Sequence, residues 1–111
     1  MSNPQKRKGD AAELEAARLI HDLTGFPARR KLGAGRTDDT GDIDGIPSTV
    51  IQVANWRDVT AALRAKPLGV EAQRLNDQAT FAATFLRLRG GLWRVALTPE
   101  QWAVYARESL P

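Results

Sequence analysis

The segment DIDGIPSTVIQVANW, residues 42–56, decides the fold of this chain. It contains a short strand over 42–46, a Pro-Ser turn, and an almost continuous apolar run over 49–56 that is typical of a strand covered on both faces. Two strands joined by a turn pair antiparallel. We therefore expect Asp42 and Gln52, the only polar residue early in the apolar run, to be neighbours on one face of a sheet.

The remaining sequence predicts helices and strands around this pair. The predicted elements are a helix over 8–24, a strand over 28–32, a glycine-rich loop over 33–41, helices over 59–65 and 69–78 separated at Pro67, strands over 82–88 and 92–98 joined at Gly90-Gly91, and a final helix capped by Thr98 that buries Trp102 and Tyr105. This order predicts an α/β protein with a mixed sheet flanked by helices. We expect residues 1–7 to form a flexible basic arm and residues 8–111 to form a single domain.

Length and composition exclude several classes of protein. The 111 residues are enough for one domain, and the lack of cysteine excludes disulfides and thiolate metal sites. No apolar stretch approaches the roughly 20 residues that cross a bilayer, and no secretion segment is visible. We therefore expect a cytoplasmic protein, in the host cell cytoplasm if a phage encodes it.

Charge is distributed unevenly along the chain. Residues 1–36 carry eight basic and four acidic side chains, residues 37–58 carry one and five, and residues 59–111 carry seven and four. Basic flanks attract a polyanion, whereas clustered carboxylates repel one unless a cation lies between them. The pattern indicates metal-dependent chemistry on a phosphate backbone, or else a solvated surface with an acidic loop.

Glu13 is unusual within the first predicted helix. At about 100° per residue it falls inside the apolar arc that contains Ala16 and Ile20, and a carboxylate directed at a core needs a partner. One possible partner is a divalent ion shared with Asp42 and Gln52, because carboxylate and amide oxygens suit Mg²⁺ or Mn²⁺.

Structural roles for the same residues stay open. The alternative to a metal-binding role is that Glu13 is a structural acid paired with Arg29 or Arg30, since buried ion pairs also occur without function. Asp42 and Asp44 are of a type that often flanks a glycine-rich turn, and Asp44 is the expected bystander.

Several segments together resemble a known nuclease superfamily. They are KGDAAE at 8–13, GDI at 41–43, IQV at 51–53, a helix that contains Gln73, and the hairpin at 90–91. In order and spacing these segments, spread over roughly residues 6–98, are similar to those of the PD-(D/E)XK nucleases. The closest resemblance is to the archaeal-type Holliday junction resolvases and their small phage-encoded relatives.

The resemblance implies a restriction-endonuclease-like, mixed five-stranded sheet flanked by helices. It also implies a homodimer that acts in DNA recombination as an endonuclease, hydrolysing phosphodiesters of branched double-stranded DNA with Mg²⁺ or Mn²⁺. In the roles it assigns, Glu13 is the acid of the first helix, Asp42 the metal-binding aspartate and Gln52 the second ligand, and Val53 joins them in the metal-binding set.

The chain departs from this family at one position. The family's lysine belongs two residues after Gln52, where this chain has Ala54. The interpretations left open are a lysine from elsewhere, either Lys31 or Lys66; a substitute at Asn55 or Arg57; or a non-catalytic protein of the same fold that binds branched DNA. Lys66 precedes a proline in an expected surface turn, so Lys31 is the preferred catalytic substitute.

The expected contacts to DNA come from the basic arm and from the first strand with its loop. The candidates are Lys6, Arg7, Lys8, Arg29, Arg30 and Arg36. The three tryptophans, Trp56, Trp93 and Trp102, lie among alternating apolar residues. We expect them in the core or in dimer contacts rather than stacked on bases.

Overall fold

A computed structural model describes residues 4–31 and 41–111, with side chains from residue 8 onward. The helices are α1 (Pro4–Thr24), α2 (Val59–Asn76) and α3 (Pro99–Ser109). The strands are β1 (Arg29–Arg30), β2 (Ile43–Asp44), β3 (Thr49–Ala54), β4 (Phe81–Arg87) and β5 (Trp93–Ala96).

The strands form one mixed five-stranded sheet in the order β1-β2-β3-β4-β5. The β3–β4 pair is parallel, with α2 as its connection, and the other three pairs are antiparallel. The α/β class and the mixed sheet predicted from the sequence are therefore confirmed.

Strand β3 is the centre of the fold because both of its faces are covered. Ile51 and Val53 pack on the side of α1, in a cluster that includes Ala16 and Ile20. The alternate residues Val50 and Ala54 pack on the side of α2. Since side chains alternate along a strand, Gln52 faces α2 as well.

Helix α1 begins at Pro4, four residues before the expected start at Lys8. Proline is favoured at the first helical position because its fixed φ suits the helix and its missing N–H has no partner there. Residues 4–7, which the sequence assigned to a flexible basic arm, form the start of α1, while residues 1–3 lie outside the described part.

Helix α2 passes through Pro67, although the sequence predicted two short helices separated there. A proline inside a helix gives up one backbone hydrogen bond, which usually ends the helix. Here Pro67 is buried, and the free energy gained by burying its apolar ring offsets the lost bond. This continuity places Lys66 on an ordered helix instead of in a turn.

The hairpin between β4 and β5 turns at the predicted glycines through a 3₁₀ turn (Arg89–Gly91). Thr98 caps α3 as predicted, accepting the Gln101 N–H.

The expected burial of Trp102 is wrong, since 62 % of it is exposed and Gln101 is the buried residue of α3. Trp56 is also exposed to 42 %. Trp93 is partly buried and packs against the core cluster shared by α1 and β3, as expected.

Candidate functional site

Strand β3 and helix α2 enclose a polar pocket of about 280 Å³. The side chains of Asp42, Gln52, Lys66 and Gln73 line it together with Gly69 and Val70. The helix residues recur at 66, 69, 70 and 73, the spacing of one helical face. The pocket therefore joins the predicted Asp42–Gln52 pair to a lysine and a glutamine on one face of α2.

Gln52 is buried, with 6 % of the residue exposed, and both ends of its amide are bound. Its Nε2 donates to Oε1 of Gln73 at 2.8 Å, and its Oε1 accepts from Nζ of Lys66 at 3.3 Å. Since an amide oxygen has two lone pairs, Oε1 keeps one acceptor position beyond the bond from Lys66.

Asp42 sits where the β2–β3 ladder ends. Its backbone N–H donates to the Ile51 carbonyl at 2.7 Å, and its Oδ2 accepts the Val53 N–H at 2.8 Å. The preceding Gly41 has a φ of +100°, and a Cβ there would lie 2.8 Å from the Ile51 carbonyl oxygen. A close glycine turn thus brings the carboxylate of Asp42 back onto β3.

Lys66 is the functional candidate that sequence reasoning placed wrongly. Its ammonium contacts Gln52 and also lies 5.4 Å from the ring centroid of Trp56. The expected surface turn does not form because α2 continues through Pro67. The signal that identifies Lys66 is its spacing of seven residues, two helical turns, from Gln73.

Lys31, the preferred substitute in the sequence interpretation, does not line this pocket. Its backbone N–H bonds to the Asp42 carbonyl at 2.8 Å, so it follows β1 opposite Asp42. Its Nζ lies 3.8 Å from Oδ1 of Asp44. Lys66, and not Lys31, is the lysine in contact with Gln52.

Glu13 approaches the site from α1 and forms the ion pair with Arg30 that the sequence left open. Nε of Arg30 donates to Oε1 of Glu13 at 3.3 Å, and a second guanidinium nitrogen donates to Asp10 at 2.8 Å. Burial raises the pKa of Glu13, and the charge of Asp42 raises it further, whereas the hydrogen bond and charge of Arg30 lower it. The two carboxylates are therefore close enough to interact electrostatically.

The other predicted site residues are distributed around this centre. Val53 gives its N–H to Asp42 and lines a neighbouring groove instead of the polar pocket. Lys8 and Arg29 are exposed, while Arg30 is engaged with the two acids of α1. The side chains of Lys6 and Arg7, and all of Arg36, lie outside the described residues.

The donor set fits a hard divalent cation by chemistry, with two carboxylates and one amide oxygen. Among residues 8–31 and 41–111 no three His, Cys, Asp or Glu side chains group together. Asp42 and Gln52 share the pocket, and Glu13, on α1, interacts electrostatically with Asp42. Carboxylate and amide oxygens are ligands that Mg²⁺ and Mn²⁺ accept.

Comparisons with known proteins assign no relative to the chain: no family model, curated protein or solved structure matches it. In the described part of the chain, no helix has the length and apolar character needed to span a membrane. Function is therefore inferred from the site itself.

Proposed function

We propose that this protein is a metal-dependent endonuclease with the restriction-endonuclease-like fold, acting on branched double-stranded DNA such as a four-way junction. The observation that carries the proposal is the 3.3 Å contact between Nζ of Lys66 and Oε1 of Gln52. It supplies, from α2, the amine that the PD-(D/E)XK pattern lacks at Ala54. An acid, an amide and an amine then line one pocket, and such a set is able to hold a cation and stabilise the charge that develops on a scissile phosphate.

Lys66 carries the positive charge of the site. An ammonium fixed beside the scissile phosphate stabilises the negative charge that develops on its oxygens, and it orients an attacking water. Gln52 positions Lys66 directly, and Gln73 positions Gln52 through the 2.8 Å amide bond. The ring of Trp56 gives the lysine a second contact, which limits its rotamers.

Asp42 and Gln52 are the residues proposed to hold Mg²⁺ or Mn²⁺, with Glu13 completing the set. When bound, such an ion makes a coordinated water more acidic and offsets charge on the phosphate. Burial, and then the charge of Asp42, raise the pKa of Glu13, and a bound cation would stabilise the charged form of both carboxylates.

A homodimer is part of the same proposal. An open apolar groove of about 550 Å³ lies beside α1 and α3. Phe26 and Val95, which line it, are 39 % and 53 % exposed. Large exposed apolar patches on a protein often mark the sites where it contacts another protein. Molar mass measured by light scattering after size-exclusion chromatography tests the dimer, and a monomer at micromolar concentration would contradict it.

A panel of DNA substrates tests the activity. Four-way junction, flap and linear duplex of equal length are incubated with the protein in Mg²⁺, Mn²⁺ or EDTA, and nicks are read on denaturing gels. We expect metal-dependent nicking that is fastest on the junction. If flaps or duplex ends are nicked fastest, the protein is still a nuclease, but its preferred substrate is not the four-way junction.

A non-catalytic branched-DNA-binding protein of the same fold is the second candidate function. It is favoured by the engagement of Glu13 with Arg30, which satisfies that acid without a metal. Binding of the junction in EDTA with no nicking in either ion would select this candidate.

A further inference from the structure

A second surface of the chain lies outside the polar pocket and has a different chemistry. Two adjoining grooves of about 550 and 570 Å³ lie where β3 and β4 end. These two strands are parallel, so their carboxyl ends meet at one edge of the sheet, the usual place for ligands in α/β proteins. We call this surface the basic groove; it is formed by Lys8, Asn55, Trp56, Arg57, Arg87 and Arg89.

The charge of the basic groove is positive. Lys8, Arg57 and Arg89 are exposed, and no carboxylate of the described residues pairs with them. Arg87 bonds to Glu15 at 3.1 Å. The lining contains four basic residues and one acidic residue, Asp58, whose Oδ1 accepts the Ala61 N–H as the N-cap of α2. Unpaired cations along a groove favour a polyanionic ligand.

Trp56 adds an aromatic surface among these cations. It lines both halves of the groove and is 42 % exposed. The Lys66 ammonium, 5.4 Å from the ring centroid, also connects Trp56 to the polar pocket. Exposed aromatic rings between basic residues bind single strands, because any unpaired base can stack on them, whereas the bases of a duplex are already stacked on each other.

We propose that the basic groove binds an unpaired DNA strand, with one base stacked on Trp56 and phosphates held by Arg57 and Arg89. The choice of DNA rests on the proposed function, since the groove adjoins the pocket proposed to cleave it. In a branched substrate such a strand comes from base pairs opened at the branch point. The groove would then guide one strand from the branch toward Lys66.

Binding of a fluorescein-labelled oligo-dT 15-mer in EDTA, measured by fluorescence anisotropy at several salt concentrations, tests the groove. We expect Trp56→Ala to weaken binding by about fivefold or more, and Trp56→Phe to restore most of it, because the phenyl ring still stacks. Arg57→Ala and Arg89→Ala should each weaken binding and lower the slope of log Kd against log salt by about 0.7.

Matched controls are Trp102→Ala and Arg107→Ala, which remove an exposed tryptophan and an exposed arginine of α3, outside the groove. Both should bind as the parent protein does. If all groove variants and controls bind oligo-dT with equal affinity, the proposal that the groove binds a single strand is overturned, whether or not the protein cleaves DNA. Loss of binding confined to the groove variants, in a protein that nicks nothing in Mg²⁺, would support the groove and contradict the proposed nuclease. A preference for duplex over oligo-dT would also overturn the proposal.

Discussion

The ammonium of Lys66, on helix α2, lies 3.3 Å from the amide oxygen of Gln52, on strand β3. The strand position that would carry a lysine in the PD-(D/E)XK pattern is Ala54, which is 1 % exposed and packed against Ala62 and Leu86. A helix thus supplies the amine while the strand position remains part of the core.

Replacing Lys66 should abolish most of the proposed cleavage. We expect Lys66→Ala to lower the junction nicking rate by about 100-fold or more, because the charge that stabilises the scissile phosphate is lost. Lys31→Ala is the matched control and should change the rate much less, since Lys31 pairs with Asp44. Single-turnover nicking in Mg²⁺ measures both, and a larger loss in Lys31→Ala would reverse the assignment.

Placing a lysine at position 54 of β3, as in the PD-(D/E)XK pattern, should destabilise the protein. The sequence alone suggests that Ala54→Lys raises the rate, but the site is fully packed. We expect the substitution to lower the free energy of unfolding by about 2 kcal/mol or more, through overpacking and a buried charge, without raising cleavage. Urea denaturation compares it with Ala65→Lys on the exposed side of α2. Unchanged stability of Ala54→Lys would show that the core there is loose.

Gln73 holds the Gln52 amide, so its truncation should affect both stability and activity. We expect Gln73→Ala to cost about 1–3 kcal/mol, because a buried amide N–H loses its acceptor, and to slow nicking through misplacement of Gln52. Asn76→Ala, at the exposed end of the same helix, is the control. Urea denaturation and nicking rates are measured for both variants. Equal unfolding free energies and equal nicking rates would show that Gln73 does not position Gln52.

The pH dependence of stability tests the environment of Glu13. Its pKa is raised in the folded protein, so folding favours the protonated form and the charged form destabilises the fold. This penalty is absent at low pH and is complete once pH exceeds the raised pKa. We therefore expect the stability of Glu13→Gln, relative to the parent, to increase as pH rises from about 4 to about 7.

Glu100→Gln, exposed on α3, is the control for this series and should show no such trend. Urea denaturation at each pH gives the differences in unfolding free energy. A relative stability of Glu13→Gln that falls with rising pH would mean that Arg30, and not burial or Asp42, dominates around Glu13.

The strand patterns in the sequence predict the mixed sheet and the pair formed by Asp42 and Gln52. The apolar run of β3 and the turn before it are visible in the sequence. The burial of Gln52 and its position beside Asp42 could therefore be predicted. Glu13 was identified by its place in the apolar arc, but the choice between Arg30 and an ion depends on tertiary distances. No local pattern contains those distances.

The rest of the site depends on packing that overrides local rules. Pro67 is a helix breaker by propensity, yet it is buried within α2, and the helix continues through it and places Lys66 beside Gln52. Trp56 follows an apolar strand and reads as a core residue. It lies two residues past the end of β3 and is 42 % exposed, and only the assembled fold determines that exposure.

Nicking of a four-way junction by Asp42→Ala, compared with Asp44→Ala, tests the central claim most directly. Asp42 directly precedes β2 and Asp44 ends it, but of the two only Asp42 lines the pocket with Gln52 and Lys66. We predict that in Mg²⁺ the parent and Asp44→Ala nick the junction, while Asp42→Ala is slower by about 100-fold or more with its fold intact by circular dichroism. Equal nicking by Asp42→Ala and the parent, or no nicking by the parent in Mg²⁺ or Mn²⁺, would contradict the claim.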